Sequence, residues 1–240
     1  MSHPLTTLSE HKKFLANRYL SAYAFYYLVG DALAERTPIS VVRMGDGERE
    51  IMEEVTWKCS VGFGDNLVTV RDAEWRQRLG FDGISCDEAL KRLTEAADTC
   101  THFAPSVSGL AMPEFDLSPY FAPRAQLLDN FYVNIWNTEY KVRLYKAAQN
   151  ILFIHRSRGA ADALQIRCKN KLGVRVSYLE LSNWHQTEDV IEQAIANTDA
   201  RLVLFAGGPA SKYLSPRIAA SNKVVLDIGN TTDYWLLADL

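Results

Sequence analysis

The last third of the chain constrains the fold most strongly, because short apolar runs alternate there with helical segments. The apolar runs predict strands at 151–155, 174–179, 202–205 and 224–226. The intervening segments predict helices at 160–171, 187–197 and 210–220. Alternation of this kind is typical of an α/β, Rossmann-like fold, with a mostly parallel sheet and helices on both faces.

The first part of the chain contributes further predicted elements. A capping box of Thr7 and Glu10 predicts the start of a helix, and a second box of Ser85 and Glu88 predicts another. The predicted helices are 8–36, 85–99 and 138–148, and the predicted strands are 39–44, 102–107 and 131–136. The sequence contains no internal repeat and no low-complexity linker. We therefore predict one domain over 1–240, with 1–37 as an N-terminal helical extension.

Composition excludes several classes of protein. The net charge of −3 over 240 residues argues against a general polyanion binder, which needs clustered excess Lys and Arg. None of the four cysteines forms a C-x-x-C pair, so a structural zinc site is not expected. The N-terminus lacks the pattern of a signal peptide, and the apolar stretch 19–30 is short of the roughly 20 residues that span a bilayer. We expect a cytoplasmic protein with reduced thiols and no membrane span.

A glycine-rich segment after the predicted strand 39–44 carries two carboxylates, Asp46 and Glu48. Gly45 and Gly47 let the backbone turn sharply and approach a ligand closely. Turn geometry directs both carboxylates to the same side, where they are candidate ligands for Mg²⁺ or Mn²⁺ shared with substrate phosphates. Arg43 lies near the end of the strand and is a candidate donor-binding residue. The alternative is that Asp46 only caps the following helix.

Arg156 and Arg158 follow the predicted strand 151–155 and precede a helix. Arginine suits bidentate contact with phosphate, and a helix N-terminus adds backbone N–H donors. These two residues are therefore candidate phosphate ligands. The alternative is a solvated basic loop.

The loop after the predicted strand 202–205 contains Gly207, Gly208, Ser211 and Lys212. The glycines permit close approach, and Ser211 and Lys212 are candidates to hold phosphate oxygens. The spacing is not that of a Walker A loop. The alternative is a tight turn with Lys212 in solvent. Because ligands of parallel sheets bind at the carboxyl ends of the strands, this loop and the two before it predict a joint site for a diphosphate and a divalent metal.

The residues of these loops resemble a known family. The segment 40–48 resembles the strand and D-x-E motif of glycosyltransferases with the type D fold, a bacterial family first known as a domain of unknown function. The segment 208–212 is similar to the family's G-P-[TS]-A-K loop, and 226–230 to its D-I-G-H segment. The segment 156–159 falls where the family has an Arg- and Gly-containing loop, and 233–235 is similar to an acidic–aromatic tail. The resemblance extends from 39 to 235.

This resemblance implies a nucleotide-sugar donor, typically a UDP-sugar, and Mn²⁺ or Mg²⁺ as the cofactor. Asp46 and Glu48 would serve the metal and the donor diphosphate, and Lys212 with the adjacent backbone would lie on the phosphate side. The chain departs from the family at Asn230, which stands where the family has histidine, and at Ala210 and Ser211 before the lysine.

The resulting hypothesis is transfer of a sugar from a nucleoside diphosphate sugar to a hydroxyl acceptor. Candidate catalytic bases are Asp227 and Asp233, with Glu180 more distant. The acceptor is open among glycans, glycoproteins and lipid-linked intermediates, and the net charge disfavours nucleic acid. The aromatic N-terminal helix is a candidate surface for a homo-oligomer. Two alternatives are another phosphate-handling enzyme, such as a nucleotidase or phosphotransferase, and a catalytically inactive binding module.

Overall fold

The computed structural model describes residues 19–45, 48, 57–58, 67–68, 85–105, 125–128, 130–181, 187–197 and 199–240. The strands are β1 (Tyr19–Leu20), β2 (Ile39–Met44), β3 (Trp57–Lys58), β4 (Leu67–Val68), β5 (His102–Pro105), β6 (Gln126–Leu128), β7 (Asn150–His155), β8 (Arg175–Glu180), β9 (Leu202–Ala206) and β10 (Val224–Asp227). The helices are α1 (Ala22–Glu35), α2 (Cys86–Thr99), α3 (Tyr132–Ile135), α4 (Thr138–Ala148), α5 (Arg158–Arg167), α6 (Thr187–Ala196), α7 (Pro209–Ala219) and α8 (Thr232–Trp235). A π-helical turn (Cys168–Leu172) extends α5, and a 3₁₀ turn (Gly229–Thr231) precedes α8.

A parallel sheet forms the centre of the described structure. Its order is β1-β6-β5-β2-β10-β9-β7-β8, and every strand pair in it is parallel. Strands β3 and β4 form a separate antiparallel pair. The predicted α/β fold with a mostly parallel sheet is confirmed.

Helices cover both faces of this sheet, as the burial of alternate strand residues shows. In β9, Leu202 and Leu204 pack into the core on one face, with apolar residues of α1, α4 and α5. Val203 and Phe205 pack on the other face, with apolar residues of α6 and α7. Successive side chains of a strand point to opposite faces, so a strand covered on both sides must be apolar throughout. This explains why β9 is a continuous apolar run.

Helix capping by side chains explains where several helices begin. Ser85 accepts a hydrogen bond from the amide of Glu88 and caps α2, as predicted. The predicted helix 138–148 is confirmed as α4, which Asn137 caps by accepting from the amide of Tyr140. Across the residues that the structure describes, no helix is long and apolar enough to cross a membrane.

The predicted helix over 8–36 is wrong at residues 19–21, the first part of it that the structure describes. Tyr19 and Leu20 pair with β6, and Ser21 caps α1 by accepting from the amide of Ala24. The helix therefore begins at Ala22, because the extended backbone before it is held in the sheet. Residues 1–18, including Thr7 and Glu10, lie outside the described residues.

The predicted strand 131–136 is also wrong, since these residues form the short helix α3 and the strand β6 precedes it. Tyr132 and Trp136 both pack on Phe25 of α1, with ring centroids 5.2 Å and 5.6 Å away. The indole N–H of Trp136 donates to the carbonyl of Ala22 at 2.8 Å. Tertiary packing of these aromatic rings overrides their preference for strands.

Candidate functional site

The site lies at the carboxyl ends of the strands, where the chain connections change direction. Strand β7 leads through α5 to β8 on one side, and β9 leads through α7 to β10 on the other. Strands β7 and β9 are neighbours, and their last residues, His155 and Ala206, are register partners. Such a topological switch point opens a crevice in which α/β sheets bind ligands.

Lys212, in the first turn of α7, joins two of the predicted loops. Its Nζ lies 3.0 Å from Oδ2 of Asp227 and 3.5 Å from Oε1 of Glu48. The lysine side chain is 7% exposed, so the alternative of Lys212 in solvent is wrong. Burial by itself would lower the pKa of Lys212, but the carboxylates of Asp227 and Glu48 outweigh it and raise the pKa. The ammonium is therefore charged at neutral pH.

Asp227 ends β10 and is fully buried. Its Oδ2 accepts from the amide of Arg43 at 3.3 Å as well as pairing with Lys212. Its Oδ1 accepts from the amide of Gly229 at 3.1 Å, and its carbonyl accepts from the hydroxyl of Tyr132. Both carboxylate oxygens are thus occupied by donors.

Arg43 is buried near the end of β2, beside this cluster. Its Nε donates to the carbonyl of Asn130 at 3.1 Å and to the Asn130 side-chain oxygen. Its Nη1 lies close to Gly229, where an added Cβ would be only 2.7 Å away. No acceptor in the described part of the chain pairs with the Nη groups. Gly229 has φ +52°, which together with this contact requires glycine.

The Gly207–Gly208 turn connects β9 to α7 in close contact with neighbouring side chains. A Cβ at Gly207 would lie 2.5 Å from the Phe205 ring and 2.6 Å from Leu181. Gly208 has φ 57° and ψ −134°, a conformation open to glycine almost alone, and Pro209 begins the helix. The hydroxyl of Ser211 donates to the Gly208 carbonyl at 2.6 Å, which stabilises the turn from inside.

A second group of polar residues lies at the end of β7. Burial is the main cause that lowers the pKa of His155; the positive charge of Arg156 adds to it and the negative charge of Asp233 opposes it. Asp233, in the first turn of α8, is exposed. Arg156 is also exposed.

Comparison with known proteins identifies the fold. No family model and no curated protein sequence matches the chain. A structure described as the domain of unknown function 1792 with a distinct glycosyltransferase fold matches with a TM-score of 0.57 and 12% identity, covering 91% of this chain and 80% of that one. A glycosyltransferase of the same domain from Streptococcus sanguinis matches with a TM-score of 0.51 and 18% identity, covering 85% and 79%.

The chain has this glycosyltransferase fold. A selenomethionine-substituted structure of the same domain also matches, with a TM-score of 0.55 and 13% identity, covering 93% of this chain and 82% of that one. The resemblance that the sequence motifs predicted is thereby confirmed at the level of the fold.

Within the glycosyltransferase fold, the structure brings some of the predicted site residues together. Glu48, Asp227 and Lys212 form one ionic cluster, and the amide of Gly45 donates to Oε2 of Glu48 at 2.8 Å. Asp46 and Gly47 lie outside the described residues, so their roles stay predictions. Arg158 is on the surface, where it pairs with Asp162 at 2.9 Å and stacks over Tyr178.

Sequence reasoning missed Asn130, Tyr132 and Gly229 as residues of the site. Asn130 follows β6 and fixes the Arg43 side chain, while Tyr132 holds the carbonyl of Asp227. The glycine in the D-I-G segment was a usable signal, because a glycine after a strand end often marks close approach. Asn130 and Tyr132 carried no such signal, since 131–136 had the pattern of a strand.

Among the described residues, the donor set for a divalent metal is small. The described residues contain no group of three or more His, Cys, Asp or Glu side chains placed to hold a metal. Glu48 supplies a carboxylate that is 13% exposed and lies beside Lys212. One or two carboxylates completed by substrate phosphates are the usual set for Mg²⁺, so Glu48 fits this type of site.

Proposed function

We propose that the chain is a metal-dependent glycosyltransferase that moves a sugar from a nucleoside diphosphate sugar, with UDP as the expected nucleotide, to a hydroxyl acceptor. The observation that supports it is the convergence of Arg43, Lys212 and Glu48 at the carboxyl edge of a sheet with a glycosyltransferase fold. The arginine and lysine carry positive charge, and Glu48 is a ligand for a divalent cation. A diphosphate leaving group needs both positively charged side chains and a divalent cation.

The chemistry follows from charge that develops on the departing diphosphate. The Nη groups of Arg43 and the ammonium of Lys212 would stabilise this charge, and preorganised stabilisation of this kind is usually the largest catalytic contribution. A bound Mn²⁺ or Mg²⁺ would add Lewis-acid stabilisation of the same oxygens. We place the metal on Asp46 and Glu48, as the sequence predicted.

For the catalytic base we favour Asp233 over Asp227. Asp227 is fully buried, and both of its oxygens already accept hydrogen bonds or pair with Lys212. It therefore has no free oxygen for the proton of an acceptor hydroxyl. Asp233 is exposed in the first turn of α8, so an acceptor hydroxyl could reach it.

The test is thermal stability of the protein with UDP, GDP and their sugars, each with and without Mn²⁺, on wild type and Asp46→Asn. A ligand at 100 times its dissociation constant adds about 2.7 kcal/mol to the free energy of unfolding. We expect a metal-dependent shift for one nucleotide that the variant loses. Release of inorganic phosphate from nucleotides would favour a nucleotidase or phosphotransferase, and no shift with any nucleotide would favour an inactive module.

A further inference from the structure

The carboxylate of Glu48 is already occupied by two groups of the protein. Its Oε2 accepts from the amide of Gly45 at 2.8 Å, and its Oε1 lies 3.5 Å from the ammonium of Lys212. The same ammonium is 3.0 Å from Asp227. Lys212 thus places a positive charge beside Glu48, the same carboxylate that would bind a cation.

The two contacts of Lys212 differ in strength. The pair with Asp227 is short, and the Asp227 side chain is fully buried. The pair with Glu48 is longer than a hydrogen bond, and Glu48 is 13% exposed. Glu48 is therefore the partner that Lys212 releases more easily, whereas Asp227 keeps the lysine anchored at the end of β10.

Resting on the proposed function, we propose that Lys212 is an internal counter-ion that opposes divalent-metal binding at Glu48 until a diphosphate occupies the crevice. The oxygens of a diphosphate accept hydrogen bonds from the lysine ammonium, so they compete with Glu48 for Lys212. Once Lys212 turns to the diphosphate, Glu48 is free to bind the cation. Metal and nucleotide then bind together, and neither binds tightly alone.

Such coupling between two ligands is reciprocal and has a measurable size. If the nucleotide raises the affinity for the metal, the metal raises the affinity for the nucleotide by the same factor. Replacing Lys212 by an uncharged side chain should have opposite effects on the two ligands. The metal alone gains affinity because a repelling charge is gone, and the nucleotide loses affinity because a phosphate donor is gone. A fold that is merely damaged would weaken both.

The experiment measures binding of Mn²⁺ alone, of UDP alone and of both together, with free Mn²⁺ followed by electron paramagnetic resonance. The variants are Lys212→Met and a matched control, Lys223→Met. Lys223 is also a buried lysine, but its Nζ donates to the carbonyls of Asn197 and Ala200, and it precedes β10 at the opposite edge of the sheet. Circular dichroism establishes that each variant is folded.

We expect Lys212→Met to bind Mn²⁺ alone about tenfold more tightly or better, within the usual range of coupling between sites, and to bind UDP more weakly. Lys223→Met should behave as wild type. If Lys212→Met does not fold, the double variant Lys212→Met/Asp227→Asn removes both charges of the buried pair and has the same expected result.

Two results would overturn the inference, and only the second would also overturn the proposed function. If wild type binds Mn²⁺ and UDP cooperatively but Lys212→Met binds Mn²⁺ alone no more tightly than wild type, the counter-ion role fails and the proposed function stands. If wild type binds neither ligand, alone or together, the proposed function fails as well.

Discussion

The ammonium of Lys212 lies 3.0 Å from the carboxylate of Asp227, although the two residues come from different elements, α7 and β10. Both side chains are almost completely withdrawn from solvent. The pair therefore connects the glycine turn after β9 to the end of the neighbouring strand. It also fixes the position of the only lysine in the segment that the sequence predicted to contact phosphate.

Removing Asp227 should destabilise the protein strongly. In Asp227→Ala the ammonium of Lys212 stays buried without its closer partner, and the amides of Arg43 and Gly229 lose their acceptor. We expect a loss of about 3–5 kcal/mol in the free energy of unfolding, measured by urea titration. The control is Glu139→Ala, whose pair with Arg143 is exposed and should contribute little. Equal losses in both variants would contradict the assignment.

Gly207 should not tolerate a side chain. In Gly207→Ala the new Cβ would lie 2.5 Å from Phe205 and 2.6 Å from Leu181, both buried. Relief of this overlap should cost about 1–3 kcal/mol in thermal or urea unfolding. In the matched variant Gly159→Ala, the nearest atom to the Cβ is 3.9 Å away and the residue is helical, so stability should be unchanged or slightly higher.

Arg43→Lys should separate charge from geometry at the phosphate site. Lysine keeps the positive charge but lacks the planar fork of donors, so it loses the contact of Nε with Asn130 and cannot present two parallel donors. We expect UDP binding, measured by calorimetry with Mn²⁺ present, to weaken by about tenfold, in line with the loss of a charge-assisted hydrogen bond. Arg143→Lys, on the exposed face of α4, is the control. Unchanged UDP affinity in Arg43→Lys would remove Arg43 from the site.

Asp233→Asn should slow the reaction without weakening the binding of the sugar donor. Loss of a catalytic base typically lowers the rate by about 10²–10⁴-fold. The measurement is release of nucleoside diphosphate from the sugar donor that stabilises the protein, next to the dissociation constant of the same donor. Asp199→Asn changes an exposed acid before β9, at the opposite edge of the sheet, and should keep the wild-type rate. A rate for Asp233→Asn equal to wild type would exclude this base.

His102 should make stability fall as the pH is lowered below neutrality. Burial lowers the pKa of His102 to about 4, below the value of about 6.5 for the unfolded chain. Between these two values the unfolded chain binds the extra proton, so folding becomes less favourable as the pH drops from 6.5 to 4. The loss in the free energy of unfolding should approach about 3 kcal/mol, measured by urea titration at each pH. His102→Asn should flatten this part of the profile, whereas a profile equal to wild type would show that His102 does not cause the slope.

The sequence determined most of the fold because the relevant information is local. Continuous apolar runs marked β7, β9 and β10, since strands buried on both faces need apolar side chains at every position. Ser85 marked the start of α2, because its side chain caps a helix three residues away. The loops at the strand ends followed from the order of these elements along the chain.

Tertiary structure alone decided how the charged groups of the site are paired. The Nε of Arg43 binds Asn130, which is 87 residues away in the chain, and the amide of Arg43 binds Asp227, which is 184 residues away. Packing on Phe25 likewise turned 132–135 into a helix. No local pattern encodes such partners, because a buried charge takes its partner from whichever strand end the fold brings beside it. The sequence therefore determined which edge of the sheet carries the site, and the packed sheet determined that Lys212 lies between Asp227 and Glu48.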